Sequence, residues 1–184
     1  MNMFFISRGG SVTYKVDNKA TLTFDGVVEA ERCREKLGYP TFDLVASSPS
    51  ADSKETAMII AHNHDQSKIV IVPDMSFENP ALQRIMEFHG LKDLPTGRTE
   101  KERTVLTSFA AVAMSGLADA IRGNVTPEME GDILVVGEGV LLKHMLAFLF
   151  SSTEILPIEL GNTHGFRITL DNLRRPTGFS LIND

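Results

Sequence analysis

Short runs of apolar residues punctuate the chain, each bounded by polar or turn-forming positions. Met3–Ser7, Asp43–Ser47, Lys68–Val72 and Asp132–Val136 are all of this kind, aromatic, aliphatic or β-branched inside their polar ends. Continuous rather than alternating runs predict strands covered on both faces. Glu154–Ile158 and Phe166–Leu170 predict further, more peripheral strands, because Pro157 would cost a central strand a ladder donor.

Between these runs lie helical patterns with their own start and stop signals. Thr23 caps a helix from about Gly26 to Leu37, closed by Gly38. A second begins near Asp52 or Ser53 and continues through Thr56 to Ile60. Asn79 followed by Pro80 opens a third, which Gly90 stops. Thr99 with Glu102 three residues on forms a capping box for a long helix toward Ile121, ending before Gly123. Its Leu106, Phe109, Val112 and Leu117 read as a core-facing stripe. Val140–Phe150 is nearly all apolar and predicts a deeply packed helix. The alternation predicts an α/β fold, a three-layer α/β/α sandwich with a largely parallel central sheet. No repeat, low-complexity tract or long linker interrupts it, and the polar stretch Lys92–Glu100 reads as a loop. The expectation is a single domain over 1–184.

Composition narrows the function classes. The 184 residues are 42% hydrophobic and 23% charged, ordinary values for a globular chain. Eighteen basic against twenty-four acidic residues give a net charge of −6. That balance argues against nucleic acid, which demands a basic footprint, and against an anionic membrane surface. Cys33 has no second cysteine to pair with and cannot build a zinc site; spaced with Val27, Ala30 and Leu37, it reads as a small buried hydrophobe. Met1–Ser7 lacks a basic start and breaks at Arg8-Gly9-Gly10, unlike a secretory signal. No apolar run approaches the ~20 residues of a spanning helix. A cytoplasmic protein is the expectation.

In an open α/β sheet, ligands bind where the carboxyl ends of strands meet loops and helix N-termini. Three such ends invite chemistry: Ser7-Arg8-Gly9-Gly10-Ser11, Ser47-Ser48-Pro49-Ser50-Ala51-Asp52 and Val136-Gly137-Glu138-Gly139. Together with Leu22-Thr23-Phe24-Asp25-Gly26, their order and spacing resemble the histidine phosphatase superfamily, the phosphoglycerate-mutase-like fold. In that family the first strand ends in Arg-His-Gly-Glu and a Leu-Thr-x-x-Gly turn opens the first helix. The second strand ends in Ser-Ser-Pro, with an arginine three residues on and then a Thr-Ala pair, here Thr56-Ala57. A late strand ends in Ser-His-Gly. The resemblance runs from Met3 to about Leu170 and implies phosphomonoester hydrolysis or a phosphomutase reaction through a phosphorylated histidine.

The departures carry more information than the matches. The resemblance places the family's reactive histidine on Gly9, its phosphate-clamping arginine on Asp52 and its second histidine on Glu138. Arg8 alone of the phosphate pocket is retained, and Ser11 stands where the family has an acid. Glu78 falls, on a looser local match, where the family often has its proton-donating carboxylate. Glycine offers no nucleophile, and phosphoryl transfer needs several fixed positive groups around the transferring oxygens. One arginine facing two carboxylates supplies the reverse, so no catalytic residue is expected intact.

Three readings of Arg8, Ser11, Asp52 and Glu138 stay open. They form an ion-pair cluster that closes an abandoned pocket, or line a pocket rebuilt for a cationic or neutral ligand, or retain a relocated enzymatic activity. The expected role is a non-enzymatic binding or regulatory domain for a small molecule or protein. The alternatives are a phosphatase or phosphomutase with a non-standard nucleophile, and a structural homo-oligomer. No metal or cofactor is expected.

The other candidates are weaker. Glu78 precedes the cap residue Asn79 and reads equally as a solvated helix-entry acid. Ser11 and Thr13 suit a turn, and Lys15 a surface. His62 and His64 are two apart with no third ligand fixed by the sequence. His89-Gly90 and His164-Gly165 repeat the family's dipeptide at a helix end and a late strand entry, away from core strand ends. Gly137-x-Gly139 is half a nucleotide-binding fingerprint.

Overall fold

Residues Phe4, Phe5 and Ile6 alternate between two cores, and that alternation explains the architecture. Phe4 and Ile6 join Ala30, Cys33, Ala57 and Ile60 on one face of the sheet. Phe5 joins Leu82, Phe109, Leu141 and Leu142 on the other. A strand buried on both faces has no position free for a polar residue, hence the continuous apolar runs. The computed structural model describes residues 1–13, 20–62, 68–126, 129–173 and 175–183.

The elements in order are β1 (Asn2–Ser7), β2 (Ser11–Thr13), β3 (Ala20–Leu22), α1 (Phe24–Lys36), β4 (Phe42–Ser47), α2 (Ala51–Ile60), β5 (Val70–Ile71), α3 (Pro80–Phe88), α4 (Glu100–Asn124), β6 (Asp132–Gly137), α5 (Gly139–Phe150), β7 (Gly165–Leu170) and β8 (Pro176–Ile182). The six-stranded sheet has the order β5-β4-β6-β1-β7-β8. Its first four strands are mutually parallel, β7 runs antiparallel to them, and β8 pairs antiparallel with β7. Helices α1 and α2 cover one face; α3, α4 and α5 cover the other. The predicted α/β/α sandwich is therefore observed.

Caps fall where the sequence puts them. Thr23 accepts from Gly26 N–H, Asn79 from Ala81 N–H and Thr99 from Glu102 N–H, each satisfying a donor the helix leaves open. Cys33 is a buried free thiol. In α4, Leu106, Phe109 and Leu117 are buried, with Val112 packed beside them. Helix α4 has the length and apolarity of a membrane span by composition alone, which the run-based reading did not register. Its buried stripe belongs to the same core as α5 and the sheet.

Four expectations are corrected. Glu154–Ile158 is a pair of turns, closed by Leu156 N–H to Thr153 O and Ile158 N–H to Ile155 O, and not a strand. Ile155 is fully buried, with Leu156 and Ile158 partly buried against the same core. Phe166–Leu170 lies inside the sheet rather than at its periphery, because β8 pairs outside it. Lys68–Val72 pairs only at Val70 and Ile71, since Pro73 opens a tight 3-10 turn directly after Val72. Helix α4 continues through Gly123 to Asn124 instead of stopping before the glycine. The short β2–β3 hairpin is an addition.

Candidate functional site

Three parallel strands end side by side, and the residues that follow them converge. Ser7 pairs with Gly137, and Ser47 with Val136. Arg8 N–H then donates to Gly137 O at 3.0 Å and Ser48 N–H to Val136 O at 2.9 Å. This register brings Arg8, Ser48 and Glu138 to one mouth at the carboxyl edge.

The turn after β1 is held by close backbone approach. Thr23 N–H donates to Gly10 O at 2.9 Å, and Thr23 Oγ1 donates to the same carbonyl at 3.2 Å. A Cβ on Gly26 would lie 2.1 Å from Gly10 O, and one on Gly9 would lie 2.8 Å from Gly26 O. Both contacts are with backbone, so neither glycine has room for a side chain while α1 stays in place. From the other side, Gly9 N–H donates to Thr56 Oγ1 at 3.0 Å, whose hydroxyl donates to Asp52 O at 2.7 Å.

Arg8 is the centre of the polar cluster. Its Nε donates to Glu138 Oε1 at 2.6 Å, its Nη1 donates to Ser11 Oγ at 2.6 Å, and Nη1 lies 3.0 Å from Asp52 Oδ2. Asp52, in the first turn of α2, is 1% exposed, and its Oδ1 accepts Ser53 N–H at 2.8 Å. Glu138 precedes α5 without capping it through its side chain, because that carboxylate is turned onto Arg8. Burial weighs against the Arg8 charge. The Glu138 hydrogen bond, followed by the charges of Glu138 and Asp52, outweighs it and holds the guanidinium above its ordinary pKa.

These side chains do not fill the mouth. A cavity of about 370 Å³ remains, lined on its polar side by Arg8, Ser11, Asp52, Glu138 and Glu78. Ser48, Ser50 and Ser76 add hydroxyls, and Ser50 Oγ donates to Ser53 Oγ at 2.8 Å. The opposite wall is apolar: Pro49, Met75, Phe77 and Leu94. Glu78 is both an exposed residue before the α3 cap and part of this rim. Leu94 arrives from the loop ahead of α4. That loop is anchored by Glu102, whose Oε2 accepts from Thr96 Oγ1 at 2.8 Å and from Thr96 and Arg98 N–H at 3.0 Å. The Thr96 hydroxyl first, then these and the Thr99 contacts, bring the Glu102 carboxyl down to about 2.

Arg8, Ser11, Asp52, Glu138 and Glu78 thus meet at one cavity, as their sequence positions imply. Met75, Phe77, Leu94 and Ser76 complete it; Met75 to Glu78 form one local segment, whereas Leu94 has no local signal. The expected ion-pair cluster of Arg8, Asp52 and Glu138 forms, but it leaves open volume beside it. The remaining candidates lie elsewhere. His62 borders a small cavity with Arg34 and Tyr39, and His89 packs against Phe88. His164 lines a separate cleft with Glu29 and Arg32. Lys15 and His64 fall outside the described residues, as does the side chain of Thr13. Gly137 and Gly139 flank Glu138 at the strand-to-helix turn. Among the described residues, no group of three or more His, Cys, Asp or Glu is placed to hold a metal ion.

Chemically, among the described residues the cavity offers one guanidinium against three carboxylates and no histidine, cysteine or lysine. At ~4 Å and an effective dielectric of about 20, each unit-charge pair is worth about 4 kcal/mol. Phosphoryl transfer draws on several fixed positive groups around the transferring oxygens, and the described lining supplies one, Arg8.

No family model matches the sequence, and no curated protein is similar to it at a significant level. Solved structures do match. Phosphoserine phosphatase from Entamoeba histolytica, as a histidine-to-alanine mutant in complex with phosphoserine, superposes with a TM-score of 0.62 at 18% identity, over 98% of this chain and 96% of that one. Phosphoglycerate mutase from Bacillus anthracis gives 0.61 at 18% identity, over 96% and 90%. Alpha-ribazole phosphatase from Shigella flexneri gives 0.64 at 13% identity, over 100% and 96%. At these identities the likeness establishes the fold alone: the α/β architecture shared with phosphoglycerate mutase and these phosphatases.

Proposed function

We propose that this chain, built on the histidine phosphatase fold, is a non-enzymatic binding or regulatory domain, cytoplasmic, whose charge-inverted pocket takes a neutral or cationic small molecule. The observation that carries this reading is the environment of Arg8. The guanidinium that would face a phosphate is engaged by Glu138 and Asp52 instead. Beside it, Gly9 offers no nucleophile, and its surroundings leave no space for one.

A missing histidine alone would not exclude phosphate. The Entamoeba phosphoserine phosphatase holds phosphoserine with one histidine changed to alanine. The reading therefore rests on charge as much as on the absent nucleophile: three acids line the cavity, and Arg8 spends its Nε and Nη1 on two of them, Glu138 and Asp52, and on Ser11. The open volume favours a ligand-binding role over a sealed relic.

Thermal unfolding in the presence of added ligands tests the reading. A ligand that binds the native state raises the midpoint by mass action. Phosphate and sulfate should leave it unchanged beyond their effect at matched ionic strength on an Arg8→Ala variant. Specific stabilisation by phosphate, lost in that variant, would contradict the proposal.

A further inference from the structure

We propose that the cavity takes a primary amine with a compact, branched apolar body, its ammonium on the carboxylate side and its body against Leu94 and Phe77. The inference rests on the non-enzymatic reading and names the ligand class for the same site.

Hydrogen-bond accounting distinguishes the acids. Asp52 has both oxygens engaged, by Ser53 N–H and Arg8. Glu138 has its Oε1 engaged by Arg8. Among the described residues, no hydrogen bond reaches Glu138 Oε2 or the Glu78 carboxylate, although both residues line the cavity. These acceptors face the solvent of the cavity, and an ammonium, with three donors and no acceptor, matches them.

The opposite wall sets the rest of the ligand. Leu94 is 56% exposed at the rim, and Phe77 and Met75 lie beside it in the lining. A neutral polyol would meet the serines and leave this wall in contact with polar groups. A polyamine would press a second ammonium against it, at a desolvation cost without compensation. A monocation with an apolar body matches both sides, and the 370 Å³ volume lies in the small-ligand range.

Titration calorimetry at neutral pH with four probes decides the matter: 3-methylbutylammonium, 3-methylbutanol, 3-methylbutanoate and ethylammonium. The branched amine should bind about tenfold more tightly than the alcohol or the short amine, a difference of about 1.4 kcal/mol, and the carboxylate should not bind. Glu78→Gln should weaken the branched amine several-fold. Leu94→Ser should weaken it several-fold while leaving the ethylammonium affinity unchanged. Both residues are exposed, so both variants should fold. Equal binding of amine and alcohol, or no binding of the amine at tens of millimolar, overturns this inference and leaves the non-enzymatic reading standing. Preferred binding of 3-methylbutanoate, or of inorganic phosphate added as a fifth probe, overturns both.

Discussion

Arg8 Nε and Glu138 Oε1 lie 2.6 Å apart, tying the end of β1 to the entry of α5. Asp52 engages the same guanidinium from α2, so one cation holds three elements together. The Arg8 and Glu138 side chains are each somewhat under a third exposed, so their pair is only partly screened by solvent. Glu138→Ala should cost about 1–2 kcal/mol. Arg8→Met should cost more, about 3 kcal/mol, because it leaves the buried Asp52 carboxylate without its countercharge. Urea unfolding midpoints measure both; equal midpoints for the two variants would contradict this ordering.

Gly9 gives a second test. Alanine there brings Cβ to 2.8 Å from Gly26 O and 3.2 Å from Leu22 Cδ2. The backbone of α1 must shift to admit it, at a cost of about 1–3 kcal/mol. Gly26→Ala is worse, since its Cβ would sit 2.1 Å from Gly10 O. The expected order of thermal midpoints is wild type, then Gly9→Ala, then Gly26→Ala. A Gly9→Ala protein as stable as wild type would show that the turn has room for a side chain.

Much of this arrangement was legible in the sequence because burial on both faces writes itself into strand composition. Phe4, Phe5 and Ile6 could only be a covered strand, and covered parallel strands place Arg8, Asp52 and Glu138 at one edge. The failures have equally local causes. Pro176-Thr-Gly-Phe-Ser-Leu-Ile182 hides an edge strand behind a proline, a glycine and half-exposed positions. Glu154–Ile158 reads as a strand because of its apolar run, but consecutive turns pack Ile155, Leu156 and Ile158 onto the core without a ladder. Leu94 reaches the cavity through a loop held by Glu102, a contact no local pattern announces. His144 escaped notice inside the nearly all-apolar α5.

Reversing the pocket charge should reverse its preference. Asp52→Arg with Glu138→His removes both acids facing Arg8 and returns the charge pattern of the resembled family without crowding Gly9. The double variant should gain phosphate-dependent stabilisation absent from wild type, with no turnover, because position 9 still lacks a nucleophile. A folded double variant indifferent to phosphate would mean that these positions do not act on a common ligand.

His144 predicts a pH dependence. It is 2% exposed, and its Nδ1 lies 3.1 Å from Thr107 Oγ1. Burial first, then the charges of Lys143 and Arg103, lowers its pKa to about 4 from the ordinary 6.5. The unfolded chain therefore binds the proton more readily than the native one. The neutral imidazole's contribution is complete above about pH 6.5 and is lost as pH falls toward 4. The integrated loss is up to about 3 kcal/mol. His144→Gln should flatten unfolding free energy across that interval; an unchanged slope would remove His144 as the cause.

The most direct test of a catalytically silent, charge-inverted pocket is the hydrolysis of an aryl phosphate, followed across pH 4 to 9 for wild type and Arg8→Ala in parallel. Both proteins should match the buffer rate at every pH. Turnover by wild type that persists through repurification and disappears in Arg8→Ala would contradict the account.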